Sequence, residues 1–362
     1  MKHLLLLGGG PAHVQVLRSL ARTGLATAHV TLVAPFPRPA CAAMLAGFVA
    51  GHHGVDEGSI ALPDLANAAN VQFVQAKPSG VNASERTVTL ADGRVMSYDA
   101  LSLDAGPSLN RDAIPGARGL ALFARPIEHF AKMWGGLLLL ASERTLSVVV
   151  LGGGVLAVEL AMALQYRLGA QARVSLVTGG TALLAGEPEP LCQEARSVLK
   201  RLAVTVIEDA CTEVTATHVI LRGGGRLVCD APIAAWAPDG PPWLASSGLA
   251  LDEQGFVLTG PTLQSSSHQT VFAVGDLASR ADLPPGHGRD AHHAAPALSA
   301  NLRRHVSTGE LVRHMPRRRS LRFVTCGEKQ ALASWGNWAV TGPWVWRFKR
   351  WLETRQAARA TA

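Results

Sequence analysis

The sequence lacks any apolar run close to the roughly 20 residues that a membrane-spanning helix requires. The longest uninterrupted candidates are short, such as residues 137–141. An integral membrane span is therefore not expected. The opening MKHLLLL has four apolar residues and then a glycine cluster, which is typical of a strand and a turn rather than of a signal peptide. We expect a cytoplasmic protein.

The chain is also poor in cysteine, with neither a C-x-x-C pair nor a metal-ligand spacing. The five cysteines are widely separated, at Cys41, Cys192, Cys211, Cys229 and Cys326. This pattern argues against structural disulfides and zinc, so no metal site is expected. It also argues against disulfide reduction by a redox-active cysteine pair.

Charged residues are few, at 17%, whereas hydrophobic residues reach 48%, which suits a compact enzyme. The length of 362 residues predicts two domains and a smaller appendage. The basic charge is confined to the end, because residues 301–362 carry 13 Lys and Arg against 3 Asp and Glu. This asymmetry predicts contact with an anionic surface. Nucleic acid is not the expected partner, since residues 313–322 are basic but carry no recognition motif.

A strand, a glycine turn and a helix are predicted at the start of the chain. Residues 3–7 are mostly apolar and lead into Gly8, Gly9, Gly10 and Pro11, and apolar residues then recur at helical spacing. Such a turn lets a pyrophosphate rest on the amide hydrogens at the start of the helix. His13 replaces the third glycine of G-x-G-x-x-G, so the closest helix-to-strand packing is not assured.

The same pattern returns 144 positions later. A β-branched run, residues 146–151, leads into Gly152, Gly153 and Gly154, and a helical segment follows. Two such turns in one chain predict two dinucleotide sites. Neither following strand ends in the acid that would bind ribose hydroxyls: the first ends before Pro35, the second at Thr178. The choice between NADH and NADPH therefore stays open, and Arg38 is the nearest group to the first site that could contact phosphate or ribose.

A third element is Thr270 to Val274, a predicted strand that ends in Gly275 and Asp276. The segments LLGGGPAHV, LGGGVLAVELA and VFAVGD, in this order, resemble those of the FAD-dependent pyridine nucleotide oxidoreductases. Within that superfamily the chain is most similar to the type II NADH dehydrogenase and sulfide:quinone reductase branch. It especially resembles the oxidoreductase module fused to selenide, water dikinase, through CAAMLAGFVAGHH, YDALSLDAG, LASSGLALDEQGFV and GPWVWRFKRWLE.

The resemblance implies an α/β fold with two Rossmann-like, three-layer domains and a C-terminal α/β appendage with an amphipathic helix. It places a discontinuous FAD-binding domain at residues 1–115 and 250–310, an NAD(P)-binding domain at 116–249 and a C-terminal segment at 311–362. The implied function is an FAD-dependent NAD(P)H oxidoreductase, with hydride passing from the nicotinamide to the flavin and electrons then passing to an acceptor such as a quinone. The candidate cofactor-binding residues are Gly8, Gly10, Pro11, Ala12, Arg38, Ala76, Ala105, Gly106, Gly275 and Asp276 for FAD, and Gly152, Gly154, Leu156 and Thr178 for NAD(P)H.

The resemblance supplies the catalytic candidates. Glu159 matches the acid of the family's GGGxxAxE pattern, which lies near the nicotinamide and flavin rings, although an acid early in a helix is also favoured by the helix dipole. Asp290, His292 and His293 open a predicted helix where family members contact the flavin and often the quinone. Either histidine could supply a proton near neutral pH, or could be an ordinary surface residue. RDAHHAAP stands here instead of a glutamine-bearing motif, which weakens the assignment of a quinone.

Two alternative functions remain open. Cys41 lies near the position of the family's redox cysteines, so a single-cysteine oxidation of sulfide or selenium compounds is one rival, with apolar packing of Cys41 as the ordinary alternative. The other rival is a non-catalytic nucleotide-sensing or membrane-docking module, because both ribose acids are missing.

Five of the eight tryptophans lie in the last 28 residues, interleaved with arginine and lysine. On a helix that begins near Pro343, Trp344, Phe348, Trp351 and Leu352 form one apolar stripe. This arrangement predicts a helix in the lipid headgroup layer, with the protein peripheral on the inner face of the membrane. The alternative is a helix that buries these rings against the body of the chain or in a homodimer.

Overall fold

The structure is a computed structural model, which describes residues 1–280, 282, 291–307, 309–316, 321–336 and 338–358, the last six by their backbone only. The strands in chain order are β1 (Lys2–Leu7), β2 (Ala28–Ala34), β3 (Gln72–Gln75), β4 (Pro78–Asn82), β5 (Thr87–Leu90), β6 (Val95–Ser97), β7 (Ala100–Leu103), β8 (Leu122–Phe123), β9 (Leu146–Leu151), β10 (Ala172–Val177), β11 (Thr205–Ile207), β12 (Cys211–Val214), β13 (His218–Leu221), β14 (Arg226–Val228), β15 (Ala231–Ala234), β16 (Val257–Thr259), β17 (Val271–Ala273), β18 (Ala278–Arg280), β19 (Arg322–Thr325), β20 (Ala331–Trp335) and β21 (Trp338–Gly342). The helices are α1 (Pro11–Thr23), α2 (Leu45–Val49), α3 (Leu62–Ala68), α4 (Ala117–Leu120), α5 (Ile127–Glu143), α6 (Val155–Leu168), α7 (Glu189–Arg201), α8 (Ala291–Val306) and α9 (Pro343–Ala358).

The first parallel sheet has the order β17-β7-β1-β2-β3. Its central strand β1 is buried at all four consecutive leucines, which is the pattern of a parallel strand covered on both faces. The edge strand β17 comes from late in the chain and pairs with β7. One sheet therefore combines strands from both segments that the sequence assigns to FAD binding, while the domain limits themselves stay a prediction.

The second parallel sheet has the order β11-β10-β9-β15-β8. Helix α6 follows β9, and nine of its fourteen residues are buried, because it packs between this sheet, α2 and the C-terminal strands. Both sheets thus have the strand, glycine turn and helix order that the sequence predicts.

The remaining strands form smaller sheets. Antiparallel sheets consist of β4-β5-β6, β12-β13-β14 and β19-β20-β21, and β16 pairs with β18 in parallel. The sheet β19-β20-β21 packs with α9, and Ala331, Ala333 and Val345 form its buried centre. The predicted C-terminal appendage is present, and its helix begins at Pro343 as expected.

Candidate functional site

The first glycine turn joins β1 to α1. Gly8 has a φ of +107°, and a Cβ built on it would lie 2.3 Å from the carbonyl oxygen of Asp104, so only glycine fits. The amide of Gly10 donates a 2.9 Å hydrogen bond to the same carbonyl. The chain enters α1 at Pro11, a favourable first helical position. The end of β7 therefore fixes the shape of this turn.

The carboxylate of Asp104 lies directly beneath the turn. A Cβ on Gly10 would be 2.3 Å from its Oδ1, and the backbone amide of His13 donates a 2.9 Å hydrogen bond to Oδ2. The backbone amide of Ala12 also bonds to this side chain. The start of α1 thus has an acceptor from within the chain. Asp104 was missed at the sequence level, although it stands directly before the predicted Ala105 and Gly106.

Burial shifts the protonation of both polar side chains here. It raises the pKa of Asp104 to about 7, against the hydrogen bonds from the amides of His13 and Ala12. It lowers the pKa of His13 to about 4, so the ring is neutral at pH 7. Its Nδ1 lies 2.7 Å from the carbonyl oxygen of Gly8 and therefore carries the hydrogen, while Nε2 lies 2.8 Å from Oγ of Ser102. His13 fills the position of the missing third glycine by bridging turn and strand.

The remaining candidate FAD-binding residues are Gly275, Asp276, Ala105, Gly106, Arg38 and Ala76. Gly275 has a φ of +65°, and its Cβ would lie 3.1 Å from Oδ1 of Asp104. Asp276 is half-exposed, and its Oδ2 lies 3.8 Å from Nη1 of Arg125. Ala105 borders Gly8, and a Cβ on Gly106 would meet open space. Arg38 is exposed in the loop after β2, and the amide of Ala76, after β3, donates a hydrogen bond to the carbonyl of Ala34.

The second glycine turn opens into a cleft of about 680 Å³. Gly152 has a φ of +142°, and its Cβ would lie 2.4 Å from the carbonyl oxygen of Ala235, whereas a Cβ on Gly154 would meet nothing within 4 Å. The four candidates for NAD(P)H all line the cleft, namely Gly152, Gly154, Leu156 and Thr178. The structure therefore brings this predicted set together.

The cleft is electropositive. Among the described residues that line it, Arg125 and Arg222 are cations and none is Asp or Glu. The indole nitrogen of Trp236, which also lines the cleft, is a buried donor with no hydrogen-bond partner among the described residues. A buried donor without an acceptor costs free energy unless a ligand or water satisfies it. The cleft thus suits an anionic ligand with polar acceptors.

Glu159 lies elsewhere, on the part of α6 that faces the C-terminal appendage. Its Oε1 accepts a 2.7 Å hydrogen bond from the backbone amide of Thr325 and lies 3.5 Å from Nζ of Lys349. It is not one of the cleft-lining residues. These contacts were not foreseen, because the partners lie 166 and 190 positions away.

The two histidine candidates open α8, as predicted. His292 is exposed and interacts electrostatically with Asp104, whose pKa it lowers. The ring of His293 lies 5.1 Å from that of His314. The two side chains therefore have different neighbours, and His292 is the one near the first turn. Asp290 lies outside the described residues.

Cys41 is half-buried, and its sulfur is not part of a disulfide with any of the described cysteines. With Met44, Phe48 and His53 it lines a cavity of about 10 Å³, large enough for little more than one water molecule. This geometry fits the packing role that the sequence left open for Cys41.

The C-terminal helix α9 exposes three aromatic rings. Trp344 is 59% exposed, Phe348 41% and Trp351 49%, whereas Val345 on the opposite side of α9 is fully buried. The three rings are therefore not buried against the body of the chain. None of the described helices combines the length and the apolar character needed to cross a bilayer.

Comparisons with known proteins agree with this geometry. The Synechocystis demethylphylloquinone reductase NdbB is 28% identical over 60% of this chain and 57% of its own length. The type II NADH:quinone oxidoreductase of Haemophilus influenzae is 27% identical over 45% of this chain and 41% of its own. The chain thus spans about half the length of these curated relatives.

Solved structures share the fold. The sulfide:quinone oxidoreductase of Aquifex aeolicus superposes with a TM-score of 0.82 at 18% identity, over 99% of this chain and 92% of its own. The NDH2 of Plasmodium falciparum gives 0.77 at 12% identity, over 99% and 97%. The predicted fold class is therefore confirmed.

Residues 2–297 match the family described as pyridine nucleotide-disulphide oxidoreductase. This match covers well over half of the chain, and it confirms the predicted enzyme class and the cofactor pair FAD and NAD(P)H. By this match the chain belongs to the pyridine nucleotide-disulphide oxidoreductase family.

Proposed function

We propose that this protein takes hydride from NAD(P)H onto FAD and passes the electrons to a quinone. The observation that carries the proposal is the link between the two sites. Arg125 lines the cleft at the second glycine turn, and its Nη1 lies 3.8 Å from Oδ2 of Asp276, which follows Gly275 at the first. This contact supports two adjoining nucleotide sites, an arrangement that hydride transfer between two bound rings requires.

Glycines around each turn leave room for a dinucleotide. Gly152 and Gly8 allow contacts with the neighbouring strand that a side chain would block. Gly154 and Gly106 border open space, so the backbone can approach a ligand closely. The first amide hydrogens of α6 have no acceptor within the helix, and Val155 and Leu156 at its start line the cleft, where a diphosphate would lie. These features support the assignment of FAD to the first site and NAD(P)H to the second.

Bound together, the two cofactors supply hydride and electron transfer, and the protein supplies orientation and charge. The start of α6 would hold the diphosphate, and Arg125 would offset negative charge between the two sites. Asp276 would accept hydrogen bonds from hydroxyl groups of the flavin side chain. Asp104 can hold a proton near the same point, because burial raises its pKa to about 7, and His292 interacts electrostatically with it.

A test uses the purified protein in its yellow, flavin-bound form. Anaerobic mixing with NADH or NADPH should bleach the flavin absorbance, and a water-soluble quinone should restore it. In Gly154→Val, a side chain fills the open side of the second turn, so the protein should stay yellow but bleach far more slowly. A colourless protein that takes up no FAD would contradict the proposal and favour a nucleotide-sensing module.

The assignment of a quinone as the electron acceptor is supported by the names of two relatives. The Synechocystis relative is named a demethylphylloquinone reductase and the Haemophilus relative an NADH:quinone oxidoreductase. If the reduced flavin is reoxidised by dyes but by no quinone, then the acceptor assignment is wrong and the nicotinamide half of the proposal stands.

We also propose that α9 lies in the headgroup layer on the inner face of a membrane. The exposed rings of Trp344, Phe348 and Trp351 supply the apolar contact. Arg347 on the same helix, with the other basic residues of the tail, supplies charge for anionic lipid. The opposite side of the helix is occupied, because Val345 is buried in the appendage.

Vesicle flotation tests this contact. The protein should float with vesicles that contain phosphatidylglycerol and much less with phosphatidylcholine alone. Trp344→Ser with Trp351→Ser should abolish flotation, whereas Leu139→Ser, at an equally exposed position on α5, should not. If the tryptophan variant instead changes a dimer into a monomer and flotation is absent throughout, these rings form a homodimer contact.

The finer family assignment is also our proposal. Several segments resemble the module fused to selenide, water dikinase. One of them, YDALSLDAG, contains Asp104. If the chain is such a module, a selenium compound should change the turnover of the flavin, and Cys41→Ser should show whether the thiol takes part.

A further inference from the structure

The carboxyl end of β10 is where a bound nicotinamide cofactor would place its adenosine ribose. An acid at this position would bind the two ribose hydroxyls, but the chain continues as Thr178, Gly179 and Gly180. A Cβ built on Gly180 would lie 3.7 Å from Nη1 of Arg222. A guanidinium group therefore lies against the loop where the acid is missing.

A β-hairpin positions the backbone of Arg222 beside this loop. Arg222 lies in the turn between β13 and β14, and its backbone amide donates a 2.8 Å hydrogen bond to the carbonyl of Ala210. Its side chain is exposed and lines the cleft. No ion pair of this guanidinium occurs within the part of the chain that the structure describes.

The two acidic side chains near this loop, Asp209 and Glu208, already have hydrogen-bond or ion-pair partners. Oδ1 of Asp209 accepts a 2.7 Å bond from the amide of Ala210, and Oδ2 a 3.1 Å bond from Gly223. Glu208 pairs with Arg196 at 2.8 Å. Neither acid lines the cleft, so the part of the lining that the structure describes offers a phosphate a cation and no carboxylate.

We propose that Arg222 binds the 2′-phosphate of NADPH and makes NADPH the preferred hydride donor. A guanidinium presents paired N–H donors that match two phosphate oxygens, and its charge offsets that of the phosphate. NADH has a hydroxyl group there and leaves the guanidinium in water. This proposal rests on the proposed function, because it assumes that the cleft at the second turn binds the nicotinamide cofactor.

The test uses two fragments of the cofactor and no turnover. Adenosine 2′,5′-bisphosphate carries the 2′-phosphate and AMP does not, and calorimetry with the flavin-bound protein gives both affinities. The bisphosphate should bind roughly 10- to 100-fold more tightly, the value of a charge-assisted hydrogen-bond pair. Arg222→Gln should remove most of this difference and leave AMP binding unchanged. Arg226→Gln, an exposed arginine of the same hairpin that does not line the cleft, is the matched control and should retain it.

Each outcome has a distinct meaning. Equal binding of both fragments, or an unchanged preference in Arg222→Gln, overturns the role of Arg222 but leaves a nicotinamide site in place. If neither fragment binds, the cleft is not the nicotinamide site, and the proposed function fails with the inference. Flavin reduction provides a second readout, since NADPH should reduce the wild type faster than NADH does, and Arg222→Gln should reverse or abolish that order.

Discussion

Nζ of Lys349, on the C-terminal helix, lies 3.5 Å from Oε1 of Glu159 on the helix that follows the second glycine turn. The same ammonium group donates hydrogen bonds to the carbonyl of Ala43 and to Oγ1 of Thr325. Both charged side chains are about nine-tenths buried. One buried lysine thus joins the appendage, α6 and the loop after Cys41.

We expect Lys349→Met to destabilise the protein by about 3 kcal/mol, because it leaves the Glu159 carboxylate buried with fewer partners. Urea unfolding measures the loss, and Lys200→Met, at an exposed position, should change little. The double variant with Glu159→Gln should recover part of the loss, because the uncompensated charge is then gone. If the loss in the double variant equals the sum of the losses in Lys349→Met and in Glu159→Gln alone, the two side chains do not interact.

Two glycines of the second turn should separate a structural role from a binding role. Gly152→Ala places a Cβ 2.4 Å from the carbonyl oxygen of Ala235 at a φ of +142°, so we expect a loss of about 1–3 kcal/mol in stability. Gly154 has φ −82° and ψ 177°, which alanine adopts freely, and its Cβ would meet only the cleft. Gly154→Ala should therefore keep its stability but bind AMP more weakly. Thermal unfolding and calorimetry on both variants check this, and the reverse assignment of the two effects would refute the geometry.

Asp276 allows the same separation at the first site. Its contact with Arg125 is long, at 3.8 Å, and its side chain is 50% exposed, so the ion pair adds little stability. Asp276→Asn should change the stability of the flavin-free protein by less than about 0.5 kcal/mol. It should nevertheless release FAD more readily on dilution, followed by the fluorescence of free flavin. Unchanged retention of FAD would mean that Asp276 does not contact the cofactor.

The pair of Asp104 and His13 predicts an unusual dependence of stability on pH. The pKa of Asp104 is raised by burial to about 7, so its contribution is fully present below 3.8 and is lost as the pH rises through about 7. The pKa of His13 is lowered by burial to about 4, so its contribution is present above 6.5 and is lost as the pH falls through about 4. Between about pH 4 and 6.5, the contributions of Asp104 and His13 to the free energy of unfolding change in opposite directions as the pH changes.

Removing the carboxylate of Asp104 should reveal the pH dependence that His13 gives to the free energy of unfolding. In Asp104→Asn the stability should rise with pH more steeply than in the wild type, by up to about 1.4 kcal/mol per pH unit between roughly pH 4 and 6.5. Urea midpoints across this range measure the slope, and Glu253→Gln, an exposed acid, is the control that should follow the wild type. Parallel curves for Asp104→Asn and the wild type would show that Asp104 titrates normally.

The sequence by itself determined the local elements of this protein. The leucines of β1 and the β-branched run of β9 specify buried parallel strands, since each repeats one simple pattern over a few residues. Gly8 and Gly152 specify tight turns because their positive φ excludes side chains. The start of α9 at Pro343 also follows from local backbone preference.

Only the tertiary structure decided which groups meet across long stretches of chain. Asp104 contacts His13 across 91 positions, and Glu159 contacts Lys349 across 190. Arg222 reaches the cleft at the second glycine turn from a hairpin that carries no nucleotide motif. Hydrogen bonds, ion pairs and burial depend on distance in space, and distant segments are brought together by packing of the whole chain, which local sequence patterns do not encode.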